Sequence, residues 1–178
     1  MKTKSAGLKS KTRSAAKAVS EKERPDEAHR LELGTGIVNA CIEGQDISGR
    51  ASSKGFSPRE LIEAMKSGLP VEELDQLRSQ LDLPMEKLIA RLGMSKATLH
   101  RRRNAGRLDR NESDRVLRYA RLLGQAVAVM ESLESGRRWL TSPQTGLGGA
   151  TPIEYAETEL GAREVENLLG RIEYGVFS

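Results

Sequence analysis

Residues 85–103, MEKLIARLGMSKATLHRRR, decide the fold. Leu88, Ile89 and Leu92 recur at helical spacing, Gly93 interrupts them, and Leu99 resumes the apolar pattern beyond it. Pro84 opens the first run, Ser95 is placed to cap the second, and Gly106 closes it. Two helices joined by a tight glycine turn make a helix-turn-helix, whose second helix offers its N-terminal residues to the major groove of DNA. On that reading Ser95, Lys96, Ala97 and Thr98 stand where base edges are met, and His100, Arg101, Arg102 and Arg103 follow along the same helix. Arginine grips a guanine edge with two parallel hydrogen bonds, or pairs with phosphate. One residue departs from the pattern. The first-helix contact position usually carries alanine, and here it is Ile89, with Ala90 beside it offering a one-residue shift of packing.

A run of three arginines is most often a solvated helix face. Here the turn glycine, the serine cap and the apolar Leu99 coincide with basic residues clustered between Arg91 and Arg110, opposed by Asp109 alone. That combination favours DNA. A single unit of this kind reads only a few base pairs, so specific repression predicts a homodimer on paired half-sites.

Outward from this centre the pattern remains helical. Ser57, Pro58 and Glu60 form a helix-start signature, followed by Leu61, Ile62 and Met65 as an apolar face and Gly68 as a stop. A helix after Pro70 places Val71, Leu74, Leu77 and Leu81 on one side. Asp109 and Glu112 cap the longest helix, expected to run to about Leu133. Its apolar residues Val116, Ala120, Leu123, Val127 and Met130 form a narrow seam that fits either core packing or a dimer contact; Gly124 favours close approach of another helix. RRWL (137–140) reads as a short helical piece, and TSPQTGLGGA (141–150) as a turn-rich loop. Thr151 to Glu154 repeats the capping grammar, and a last helix from near Gly161 carries Val165, Leu168, Leu169 and Ile172. No strand pattern stands out after residue 55, so the fold is predicted to be all-α. Residues 1–30, rich in Lys, Ser, Ala and Glu, read as a disordered basic arm. Residues 31–55 read as a linker in which GIVNACI is a short strand or one turn of helix. Residues 56–110 are the expected DNA-binding domain, and 111–178 a second helical domain.

Composition narrows the function. The net charge of +4 on 178 residues favours a polyanionic partner. Cys41 is the only cysteine, which rules out an internal disulfide and suits a reducing cytoplasm. No apolar stretch is long enough to cross a bilayer. His29 and His100 are far apart and Cys41 accompanies neither, so no metal site is indicated. GLGG at 146–149 lacks the Lys-Ser/Thr and the preceding strand of a P-loop, and reads as a turn. No nucleophile motif surrounds any serine. Neither a cofactor nor an enzymatic activity is expected.

The order of parts carries more. GLPVEELDQL (68–77), the helix-turn-helix, ESDRVLRYARLL (112–123) and then RRWL, LGGATP and GAREVENLLGRIEYG together resemble the Xre/MbcA/ParS antitoxin family over roughly residues 56–176. The resemblance implies a type II antitoxin whose partner is a RES-domain toxin that consumes NAD. It implies that the Xre-like part binds the operator of its own operon and that the C-terminal part blocks the toxin's active site. By motif position the toxin-facing residues are Trp139, Leu147, Gly148, Gly149, Thr151, Pro152, Arg171, Glu173, Tyr174, Gly175 and Phe177. Aromatic residues are only 3% of the chain, yet Tyr174 and Phe177 fall in its last five positions. With Val176 they suit a partner's pocket, since Tyr and Arg dominate binding hot spots; Ile172 continues the helix's own apolar stripe. A DNA-binding regulator with a C-terminal dimerisation domain and no toxin is the alternative.

Overall fold

The computed structural model describes residues 36–43 and 58–175. The basic arm, most of the linker, the Ser57 cap, Val176 and Phe177 lie outside the described residues. Within them the chain is helical, and the sole strand-like pairing is an isolated bridge between Pro70 and Arg107. GIVNACI forms a helix, α1 (Ile37–Ile42). There follow α2 (Pro58–Ser67), α3 (Glu72–Leu81), α4 (Met85–Arg91), α5 (Lys96–Ala105) and the long α6 (Arg110–Met130). After α6 come α7 (Leu133–Thr141), a 3-10 turn (Thr145–Leu147), the short α8 (Pro152–Tyr155) and α9 (Glu159–Glu173). None of these helices is long and apolar enough to cross a membrane.

α6 is the axis on which the others pack. Asp109 caps it: its carboxylate accepts from the Glu112 amide at 2.8 Å, while the Glu112 side chain accepts from the Asp109 amide at 2.7 Å. Val116, Ala120 and Leu123 are fully buried, and Val127 and Met130 pack at the edge of the same core. The seam is therefore occupied by the chain's own helices, α1, α3, α7 and α9. Gly124 is where α1 comes nearest: a Cβ there would overlap the Cys41 carbonyl. α6 stops at Met130, earlier than expected, because Glu131 adopts a left-handed conformation (φ 64°) and Ser132 caps α7 through the Ser135 amide. RRWL is thus the end of a nine-residue helix. α9 starts at Glu159, two residues before the expected Gly161, because Thr158 supplies the cap and accepts from the Gly161 amide at 3.0 Å. In α2 the buried residues are Leu61 and Ala64. Ile62, expected on the apolar face, is 54% exposed because α2 packs along one narrow side only.

One buried charge organises the opposite end. Glu73 is fully buried. Its carboxylate accepts from the backbone amides of Gly36, of Ile37 at 3.2 Å and of Val38 at 2.8 Å. These amides are the unpaired donors at the start of α1, so Glu73 caps that helix from across the fold. Burial pushes its carboxyl above the ordinary value against the opposing pull of the three amides.

Candidate nucleic-acid interface and C-terminal surface

α4, the turn and α5 form the expected pair. The Gly93 amide donates to Ala90 O at 3.0 Å, and the Met94 amide to Ile89 O at 2.8 Å, reversing the chain within a few residues. Gly93 takes φ 64°, and a Cβ there would lie 2.6 Å from an Arg115 guanidinium nitrogen. That guanidinium donates to the Leu92 carbonyl, so glycine serves both the turn and its anchorage to α6. Ser95 caps α5, accepting from the Thr98 amide at 3.0 Å. Ile89 and Leu99 are both buried and Ala90 is exposed. The one-residue shift does not occur, because isoleucine fits the contact position directly.

The expected DNA-facing residues divide. Lys96, Ala97, His100, Arg101 and Arg103 are exposed, as is Ser95, whose hydroxyl is shared with Thr98 at 3.0 Å. Arg102 turns inward instead. Its Nε donates to Glu112 Oε2 at 2.7 Å and its Nη2 to Asp109 Oδ2 at 2.6 Å, which attaches α5 to the capping box of α6. The hydrogen bond to Glu112, with the charge of both carboxylates, raises the Arg102 guanidinium further. Partial burial pushes Asp109 up, but the Glu112 and Asn111 amides and Arg102 outweigh it, and its carboxyl lies below the ordinary value. Arg103 pairs with Asp75 at 3.2 Å, both half exposed, and Lys96 lies 3.7 Å from Glu86. Sequence periodicity alone does not separate these roles, since the carboxylates that take Arg102 belong to another helix.

The C-terminal residues divide in the same way. Leu147 and Pro152 are buried, so they support the loop instead of lining its surface. Trp139 is partly buried against the core, and its carbonyl accepts from Gln144 Nε2 at 3.1 Å. Gly148 (φ 65°) and Gly149 (φ 87°) form an exposed turn, closed by the Gly149 amide donating to Gln144 O at 2.9 Å. Thr151 Oγ1 donates to Glu154 Oε2 at 2.7 Å, and the other Glu154 oxygen accepts from Arg91 of α4 at 3.1 Å. The Thr151 and Arg91 hydrogen bonds lower the Glu154 carboxyl. Gly146 abuts the Leu168 side chain, which sets the glycine turn beside the second half of α9. Arg171, Glu173, Tyr174 and Gly175 are exposed at its end, Tyr174 to 79%. Ile172 is half-buried. Leu160, which the expected start near Gly161 leaves outside the last helix, lies in its first turn and is 73% exposed.

A glycine-turned helix pair joined through a long helix to a second helical unit defines a helix-turn-helix protein with an attached helical domain. Residues 60–121 match the antitoxin Xre-like helix-turn-helix domain, and residues 125–175 the antitoxin Xre/MbcA/ParS C-terminal toxin-binding domain. The chain is similar to Antitoxin Xre of Yersinia enterocolitica, 35% identical over 121 residues, covering 66% of this chain and 81% of that one. Antitoxin Xre of Photorhabdus laumondii is 31% identical over 116 residues, 64% of this chain and 78% of its own. The Prs ADP-ribosylating antitoxin of a Sphingobium species is 28% identical over 159 residues, 83% of this chain and 99% of its own. The chain belongs to the Xre/MbcA/ParS antitoxin family, with a DNA-binding helix-turn-helix domain and a C-terminal domain for a toxin partner.

Proposed function

We propose that this antitoxin blocks the active site of a RES-domain toxin that consumes NAD, and that it represses its own operon as a homodimer in the cytoplasm. It acts by binding and carries out no catalysis. The working division is the one expected from the sequence: residues 56–110 for operator DNA and 111–178 for the toxin and the dimer. The observation that carries the toxin reading is the end of α9. Arg171, Glu173, Tyr174 and Gly175 are exposed there, within the segment that matches the toxin-binding domain. A tyrosine so exposed beside an arginine suits a pocket on another protein. The Sphingobium relative's name ties it to ADP-ribosylation, chemistry in which NAD is the usual donor. Gly148, Gly149 and Thr151 supply a second contact beside α9, with Trp139, Leu147 and Pro152 holding that loop in shape.

The test is co-purification with the product of the adjacent gene, followed by NAD consumption with and without this chain. The full chain should suppress NAD loss. A chain stopped at Gly170 should bind DNA yet leave NAD consumption intact. Full suppression by the shortened chain would overturn the role of the α9 end. A neighbouring product that neither binds nor consumes NAD would leave a DNA-binding regulator without a toxin of this class.

A further inference from the structure

We infer that Ala97, Arg101 and Asn104 form the base-reading edge of α5, and that Arg102 is a positioning residue which holds that edge and does not touch DNA. The inference rests on the DNA-binding reading and assigns roles within it. Residues 97, 101 and 104 are spaced by four and three, so they share one helical face, and all three are exposed. The opposite side of α5 is committed. Leu99 is buried, Arg102 is held by Glu112 and Asp109, and Lys96 and Arg103 turn to a groove shared with Asp75 and Ile89. Releasing Arg102 to reach a base would leave Glu112, whose side chain is 8% exposed, as a buried carboxylate without its counter-charge, held by the Asp109 amide. Arg101 makes no ion pair among the described residues. Its guanidinium is available to a guanine edge at no such cost. Asn104 is steadied by His100, whose ring nitrogen lies 3.3 Å from the Asn104 amide nitrogen. The three side chains are also suited to base edges: a methyl for thymine, a guanidinium for guanine and a carboxamide for adenine.

The experiment is selection from a randomised-core duplex library with the full chain and its variants, alongside thermal unfolding and salt titration of binding. Arg101→Lys keeps the charge, and with it any phosphate contact. It should retain the salt dependence while losing about tenfold to a hundredfold discrimination at one G·C position. Asn104→Ala should relax one A·T position. Arg102→Gln should select the wild-type motif with a lower melting midpoint, and it is milder than alanine because an amide can still donate to Glu112. Unchanged discrimination by Arg101→Lys would overturn the assignment while DNA binding stands. So would Arg102→Gln relaxing a base position without a change in melting. If the wild-type chain enriches no sequence, the DNA-binding reading falls and this assignment falls with it.

Discussion

Glu73 and Asp109 are both carboxylates that cap helices, yet their surroundings move them in opposite directions. Glu73 is fully buried, and burial raises its carboxyl despite three amide donors. Asp109 is partly exposed beside Arg102, and the amides and the guanidinium lower its carboxyl. A folded-state value above the unfolded one means that Glu73's contribution is fully present below about 4.5 and lost as the pH rises through the folded value. Comparing wild type with Glu73→Gln across that range should show the wild type losing ground as pH increases. Asp109 behaves in the reverse sense. Its contribution is present above 3.8 and lost as the pH falls through the depressed folded value, so Asp109→Asn should flatten the acid limb of a denaturation curve. Replacing Glu73 by alanine is more severe. It leaves the first amides of α1 buried without an acceptor, at a cost of roughly 3 kcal/mol measurable by urea unfolding.

At the level of elements, helix α1 depends on a place to lie, because six residues are too few to be stable alone. Ile37, Val38, Cys41 and Ile42 are buried against α3 and α6, and Gly124 permits the approach. In Gly124→Ala the new methyl meets the backbone of α1 at Cys41 and Ile42, which must shift to admit it, so overpacking should cost about 2 kcal/mol. The cysteine reports on it directly. Burial pushes the Cys41 thiol up to about 12, so in the wild type almost no thiolate exists near neutral pH. Ellman's reagent should leave wild-type Cys41 unmodified and react with it in Gly124→Ala, where α1 is displaced; equal protection in both would show that α1 adjusts without leaving.

The same helices show what was legible in the sequence. The caps at Ser95 and Asp109 and the Gly93 turn could be read because each closes within three or four residues. The glycine turn at 146–149 was legible for the same reason. The Glu73 cap was not, since its donors lie 35 to 37 residues away, and EELDQL reads as an ordinary acidic first turn. The inward turn of Arg102 was not legible, because Asp109 and Glu112 already satisfy each other as a capping box and nothing in their spacing calls for a third partner. Leu147 and Pro152 belong to a recognisable motif, and a motif does not say which of its residues face solvent.

For the whole molecule, the central question is whether the DNA-binding and toxin-binding parts fold as one. α6 carries the end of the helix-turn-helix match (60–121) and the start of the toxin-binding match (125–175), and a single hydrophobic cluster runs from Ile37 to Leu169. Polar contacts cross as well. Arg118 of α6, 8% exposed, donates to Asp114 at 2.9 Å, to Glu159 at 3.1 Å and to the Glu157 carbonyl at 3.2 Å. Arg91 of α4 pairs with Glu154 of α8 at 3.1 Å. A shared core of this kind makes the chain one cooperative unit, and the sole tryptophan can test that. Trp139 lies on α7, in the part assigned to the toxin, and packs against the core. A ligand that binds only the folded chain stabilises everything that unfolds with its site. Selected duplex DNA at a hundred times its dissociation constant should contribute about 2.7 kcal/mol. In one cooperative unit that gain should raise the midpoint reported by Trp139 fluorescence by about 5 to 10 °C. If the two parts unfold separately, Trp139 should melt at the same temperature with and without DNA, while far-ultraviolet dichroism divides into two transitions.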